Sequence, residues 1–474
     1  MIEGLQPYAE YKESGLPWLG RVPSHWVTKR GKSYLTCIDQ RSKGGKEELL
    51  TVSSARGIVP RRTAKVTMFK AASYAGYKLC WPGDLVINSL WAWGGGLGVS
   101  QHHGIISTAY SVYRSRPSAH INPRFLHELV RSRPFNWELH VRSKGVWISR
   151  LQLTDVSFLD APIPLPPPDE QAAIVRFLDH ANRKIDGFIR AKRKLIALLG
   201  EQKQAIIHRA VTGKDEVRMM KDESGTSSFI LQPSSLPKKP SGIPWLGDIP
   251  KHWQIVRNMA LFSHRVEPGV VGLPVLQVSL RSGITAEELD QFGRPKRLIA
   301  DATKYKLLRK DDLAYNTMRM WQGAVGVAPT DGLVSPAYVV IKPRANTVPE
   351  FYDFVFHTEV YKQQVNRQST GIVSDRNRLY WDSFKQMPNL NLPRNEQKEI
   401  VAFIMSETSL LNTAIARTER EIALMQEYRT RLTADVVTGK LDVRPAAANL
   451  PDVPEDTAIE IAPTEEQLEE AEEL

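Results

Sequence analysis

Two stretches of the chain carry basic and aromatic side chains of the kind that engage a polyanion. The first contains Trp91, Trp93, Lys144 and Arg150, and the second contains Arg319, Trp321, Arg376 and Arg378. A shift of 228 places Trp93 on Trp321, and a shift of 226 places Arg150 on Arg376. Arg and Lys in such loops hold phosphate oxygens, while Arg, Asn, Gln or Ser read base edges, so the chemistry suggested is contact with nucleic acid. Plainer readings stand beside it: tryptophans packed around a Gly-rich turn, and Arg150 and Arg376 closing structural ion pairs.

Catalytic groups find less support. No GxxxxGK[ST] string occurs, which excludes the usual cradle for ATP. Gly94-Gly95-Gly96-Leu97-Gly98 is not GxGxxG, and its counterpart at 322–326 reads Gln-Gly-Ala-Val-Gly. Asn122-Pro123-Arg124-Phe125 has Arg where an adenine-methylating loop of the N-P-P-aromatic type needs a second Pro, and it reads instead as the start of a helix. No pair of carboxylates with a following Lys suggests a nuclease site. His102 and His103 lack a second ligand pair at zinc spacing, and two cysteines, Cys37 and Cys80, are too few for a metal knuckle. The expectation is a chain with no catalytic residues, no metal and no cofactor.

The elements that position these loops occur twice. SGLPWLGRVPSHW (14–26) returns as SGIPWLGDIPKHW (241–253), LLTVSSARGI (49–58) as VLQVSLRSGI (275–284), and PGDLVINSLWAWGGGLGVS (82–100) as KDDLAYNTMRMWQGAVGVA (310–328). NPRFLHELV (122–130) pairs with VPEFYDFVF (348–356), and GVWISR (145–150) with GIVSDR (371–376). Each copy ends in a long amphipathic stretch. Ile174, Leu178, Ile185, Ile189, Ile196, Leu199, Ile206 and Ala210 share one helix face, and adding 226 gives Ile400, Ile404, Leu411, Ile415, Ile422, Met425, Leu432 and Val436. Asn182, Lys192 and Lys203 interrupt the stripe, and their copies Thr408, Thr418 and Arg429 are polar too. This is a coiled-coil seam whose natural partner is its own duplicate. LPPPDEQ (165–171) and LPRNEQ (392–397) open the helices with a Pro-rich run and an acidic or amide cap, and Gly213 and Gly439 in two VTGK strings stop them. The 36 residues from Ile174 to Ala210 would span about 54 Å, a rigid spacer.

Short apolar runs such as 84–88 and 110–113 read as strands, and 123–132 and 349–364 as helices. The expected fold class is α+β: two similar mixed α/β domains joined by two long antiparallel coiled-coil helices, with pseudo-two-fold symmetry. The expected boundaries are 1–168 for the first domain, 169–214 for the central helix, 215–238 for a Ser- and Pro-rich linker without periodicity, 239–392 for the second domain, 393–441 for the C-terminal helix and 442–474 for an acidic disordered tail. Trp18 and Trp245 should be frame residues packing each domain onto its helix.

The chain has 474 residues and a formal net charge of +11, yet residues 445–474 hold ten acidic side chains and no basic one, so the remainder carries +21. So basic a body expects a polyanion, against the plain reading of charge scattered for solubility. The opening MIEGLQPYAEYKESG lacks a basic-then-apolar signal and no run of eighteen apolar residues occurs, so a cytoplasmic protein without a membrane is expected.

YKESGLPWLGRVPSHW, its near-copy at 241–253, the LPPPDEQ and LPRNEQ openings and the two VTGK endings resemble the specificity subunit of Type I restriction-modification enzymes. The resemblance covers about residues 8–441 and does not extend to the acidic tail. It implies a non-catalytic DNA-reading subunit in which each globular unit is a target recognition domain for one half of a split, asymmetric double-stranded DNA site. It further implies that the helices set the spacing and dock two modification (methyltransferase) subunits, with restriction (translocase/nuclease) subunits joining the assembly. Two rivals predict other outcomes: a catalytic fused restriction and methylation enzyme would bind a cofactor by itself, and a basic coiled-coil scaffold would lack salt-sensitive affinity for DNA.

Overall fold

The computed structural model describes residues 5–64, 73–145, 151–221, 227–233, 236–243, 246–280, 283–286, 301–370 and 377–450. It divides into two compact units, residues 1–193 with 419–474 and residues 194–418. Each unit owns one globular head and a part of both long helices, so compactness cuts through the helices that sequence alone sets apart.

The first head is built on a four-stranded antiparallel sheet in the order Leu35–Ile38, Tyr110–Ser115, Leu85–Asn88, Leu97–Val99. Side chains alternate across it. Leu85, Ile87 and Tyr113 face a large core with Phe125 and Leu129 of the helix Pro123–Arg131, while Val86 and Val112 face a smaller one with Leu50, Ile58, Cys80 and Ile106. Both faces are covered, which is why the strand at 85–87 reads as an unbroken apolar run. The second head repeats the sheet as Phe262–Arg265, Tyr338–Pro343, Leu313–Asn316, Val325–Val327. Leu313, Tyr315 and Ile341 face its large core, and Ala314 and Val340 its small one.

Each head also has one buried ion pair at the start of a sheet strand, made differently. Asp84 accepts from Arg114 at 2.7 and 2.8 Å, whereas Asp312, its copy, accepts from Arg265 at 2.6 and 3.2 Å. The guanidinium comes from one side of the sheet centre in one head and from an edge strand in the other, which no alignment of the two copies would suggest.

The string at 122–125 opens a helix as expected: the Asn122 carboxamide accepts from the backbone of Arg124 and Phe125. The run 349–364 is two helices, Pro349–Phe356 and Glu359–Gln368, because Thr358 turns extended (ψ 142°) and its hydroxyl caps the second by accepting from the Tyr361 backbone N–H. Ser132 (ψ 146°) makes the same break before Arg133–Arg142 in the first head.

The long helices are Pro168–Val211 and Arg394–Val437, each of 44 residues. Within the first unit Lys192 meets Glu421 at 2.6 Å and Asp186 meets Arg429; within the second, Lys203 donates to Asn412 at 2.8 Å. Partner numbers fall as helix numbers rise, so the pairing in each unit is antiparallel, as the duplicated seam predicts. Three of the polar interruptions, Lys192, Lys203 and Arg429, are themselves cross-helix partners, and Thr408 and Thr418 turn their hydroxyls back onto the carbonyls of Ile404 and Ala414. One window of the second helix is long and apolar enough to cross a membrane by length and composition; 22% of it is buried, and Ile400, Phe403 and Ile404 belong to the core of the second unit.

Within 215–238, read from sequence as a linker, Asp215–Lys221 pairs antiparallel with Ser227–Pro233, and Lys238–Pro240 with Asp248–Pro250. Val217 packs on the second core. The stretch lacks apolar alternation in sequence, and a backbone ladder alone is what periodicity cannot register.

Candidate nucleic-acid interface

The tryptophan loop follows the third strand of the first sheet. The Asn88 backbone N–H donates to the Gly96 carbonyl at 2.8 Å, the Leu90 N–H donates to the Asn88 carboxamide at 3.2 Å, and the Gly96 N–H returns to the Trp91 carbonyl at 2.9 Å. The second head closes its loop with the same bonds: Asn316 to Ala324 at 2.9 Å, Met318 to the Asn316 side chain at 2.9 Å, and Ala324 to Arg319 at 3.1 Å. Gly95 (φ 82°) and Gly323 (φ 101°) take the left-handed position in each.

The remaining glycines have a local cause. A Cβ at Gly94 would lie 2.7 Å from the Trp91 ring, and one at Gly96 would lie 2.8 Å from the Trp91 carbonyl oxygen. In the second head position 91 becomes Arg319, no ring folds over the loop, and the copies of Gly94 and Gly96 are Gln322 and Ala324. The Gly-rich string is therefore a seat for an indole.

Trp91 is 47% exposed and lies against Trp93 with ring centroids 4.9 Å apart; Trp93 is half-buried, edge-on to His140 at 6.0 Å. Trp321 is half-buried against the core of its head, its indole N–H donating to the Met318 carbonyl at 2.9 Å. The core-packing reading thus holds for Trp321, and Arg319 is exposed on that loop together with Met318 and Gln322. Arg319 has no carboxylate partner among the described residues.

Beside each loop stands the base of a hairpin. Lys144 and Gln152 exchange two backbone bonds of 2.9 Å, and Thr370 and Arg378 exchange two of 3.0 Å. Each base is tied to its loop: the Leu153 N–H donates to the Ser89 carbonyl at 2.9 Å, and the Leu379 N–H to the Thr317 carbonyl at 2.8 Å. Lys144 and Arg378 are exposed, with Arg378 3.4 Å from the Tyr380 hydroxyl. They occupy opposite strands of their hairpins, since Lys144 matches Thr370 and Arg378 matches Gln152. Arg150 and Arg376 lie outside the described residues.

Sequence reasoning missed the groups that hold this frame. The Arg131 guanidinium donates to the carbonyls of Ser54 (2.5 Å), Ala55 (2.9 Å) and Leu97 (2.7 Å), clamping a second loop onto the tryptophan loop. One turn earlier, His127 accepts from the Val99 N–H at 3.2 Å, and burial together with the Arg131 charge pushes its pKa down to about 3. Glu170 and Glu396, taken as helix caps, are rivets: Glu170 accepts from Tyr8 (2.6 Å) and Trp26 (2.8 Å) and meets His25 at 2.7 Å, while Glu396 accepts from Trp253 (2.9 Å) and meets His252 at 2.9 Å. Gln171 and Gln397 accept from the backbone of Asn122 (2.7 Å) and Val348 (2.8 Å). The signal was present, since DEQ/NEQ and SHW/KHW both repeat, but nothing in a sequence says that they meet. Trp26 and Trp253, both buried, are frame tryptophans that the sequence did not single out; Trp18, expected as one, packs on the first core edge-on to Phe135 at 5.4 Å and also lines a cavity, and Trp245 lies outside the described residues.

The chain has the fold seen in a type I restriction-modification assembly. A chain from a structure of the complex assembly and conformational transition of the type I R-M system matches with 15% identity and a TM-score of 0.55, covering 88% of this chain and 98% of that one. The HsdS subunit from Thermoanaerobacter tengcongensis matches with 16% identity and a TM-score of 0.37 (88% and 96% covered), and the type I restriction-modification S subunit from M. genitalium with 9% identity and a TM-score of 0.32 (90% and 97%). No protein-family model and no curated protein matches.

Proposed function

We propose that this chain is the non-catalytic specificity subunit of a type I restriction-modification complex, each head reading one half of an asymmetric, split double-stranded DNA site. The observation that carries the reading is a loop-and-hairpin frame built twice with the same backbone bonds and furnished differently, Trp91 and Lys144 on one head, Arg319 and Arg378 on the other. A repeated frame with unlike contact residues suits two unlike half-sites. Arg150 and Arg376 belong to the same proposed surface.

The helices are proposed to dock two methyltransferase subunits, with restriction subunits joining them. Leu195, Leu198, Met405 and Leu410 on the helix parts of the second unit, and Leu424 on the first, are exposed, more apolar surface than a helix facing only water would carry. The proposed domain boundaries are those read from sequence, with the linker containing the paired strands at 215–233.

The test is binding of the assembled complex to duplex DNA at two salt concentrations, followed by mapping of the methylated bases. A specificity subunit gives a split site and an affinity that falls steeply with salt. Absence of both in a complex that retains its methyltransferase would contradict the reading.

A further inference from the structure

The acidic run after residue 450 lies outside the family resemblance, and the first unit holds a cavity of complementary chemistry. This cavity, of about 530 Å³, opens between the helix Arg133–Arg142, the motif at 17–18 and the last turns of the second long helix. Trp18 and Trp137 give it apolar walls, and Arg133, Arg431 and Lys440 give it charge against one acid, Asp435. Lys440 reaches Asp435 at 3.2 Å, which leaves Arg133 and Arg431 exposed and without a carboxylate partner among the described residues. Trp137 is 51% exposed, and the buried indole N–H of Trp18 has no acceptor among the described residues.

The duplicate unit does not repeat this chemistry. At the matching positions Arg133 becomes Glu359, Trp137 becomes Gln363 and Arg431 becomes Ala205. Glu359 is satisfied by Lys362 at 2.8 Å, and Arg209, which replaces Asp435, is satisfied by Asp215. The basic, aromatic cavity is confined to the unit whose last element leads into the acidic run.

We propose that residues 451–474 of the same chain occupy this cavity, with carboxylates on Arg133 and Arg431 and aliphatic side chains against Trp18 and Trp137. The run fits both demands: Glu465, Glu466, Glu469 and Glu470 supply charge, and Ile459, Ile461 and Leu468 supply isolated apolar groups. The described chain ends at Leu450, which packs on the core of the first unit, ten residues after Lys440 of the cavity wall. From there 24 residues, at up to about 3.5 Å each, reach the cavity with length to spare. Tethering raises the effective concentration of the run to the millimolar range, so even a weak site is filled in cis. The contact is electrostatic at an open surface and weakens with salt. It is independent of whether the heads read DNA.

The experiment is digestion of the full native chain with a glutamyl endopeptidase, following cleavage at Glu465 to Glu473 by mass spectrometry. Docking predicts cleavage roughly tenfold slower than in the R133E/R431E variant, a ratio set by millimolar effective concentration over a weak site. Protection should vanish between about 0.05 and 0.5 M salt and should not change with protein concentration. A second full-length variant, E465Q/E466Q/E469Q/E470Q, has its substitutions outside the described residues; it should speed hydrogen exchange at residues 133–141 as the double variant does. Equal cleavage in wild type and R133E/R431E, unchanged exchange in the glutamine variant, or protection that grows with protein concentration would each overturn the proposal.

Discussion

Position 127 and its copy, position 353, show how one frame tolerates opposite chemistry. His127 is held neutral with its pKa near 3, while burial of Asp353 raises its carboxyl to about 6, beside His357 at 3.5 Å. An unfolded His takes up a proton near pH 6.5 that the folded His127 refuses until about 3, so its contribution to stability is present above pH 6.5 and is lost as pH falls through that window. Asp353 slopes the other way, its raised pKa costing stability as pH rises from about 4 to 6. The prediction is therefore a difference: between pH 6.5 and 4, wild type should lose stability relative to His127→Gln by up to about 1.4 kcal/mol per pH unit in urea titrations. Parallel curves would show that His127 is not held neutral. At the interface, Arg319→Ala should weaken binding to the target by about 1–3 kcal/mol or lower the salt slope by about one, and only for duplexes that keep the second half-site. Trp91→Ala should act on the other half alone. The types of these residues were legible in the sequence. Their exposure was not, because Trp93, Trp321 and Trp91 differ only in what folds over them.

The long helices were legible because a buried stripe writes itself into the sequence at helical spacing, and their stops because a left-handed position selects Gly. What sequence could not give is where each stop lands. Gly439 (φ 77°) sits with its would-be Cβ 2.4 Å from the Pro23 ring, and Gly213 (φ 67°) sits 2.5 Å from Pro250, so each VTGK string seals onto the opening motif of a head. Gly439→Ala should cost at least about 1–2 kcal/mol from backbone strain alone, lowering the melting temperature by several degrees. Gly200→Ala, inside a helix with nothing near its Cβ, should do the reverse by about 0.5–1 kcal/mol. Equal effects would contradict left-handed strain at Gly439. The Glu and Gln that follow Pro168 and Arg394 looked like caps, and long-range bonds to the heads outweigh that local role. The strands within 215–233 escaped notice because their sequence carries no apolar alternation, which leaves no period to detect.

For the molecule as a whole, the duplication carried most of what could be read: two heads, two helices and the antiparallel pairing inside each unit. Repeats cannot reveal asymmetry, which shows only where the copies are compared in space, as in the ion pairs of Asp84 and Asp312 or the cavity at Trp18 and Trp137. The exposed leucines of the helices belong to this scale too. Leu410→Asp should reduce co-purification of the methyltransferase severalfold while leaving the melting temperature unchanged, since an 80% exposed side chain supports no core. The most direct measurement is a map of methylated bases across host DNA with the wild-type chain and with residues 1–168 exchanged for those of another specificity subunit. The account predicts one split, asymmetric site that changes in one half and keeps the other half and the gap. A site that changes in both halves, or methylation that is indifferent to the exchange, would contradict it.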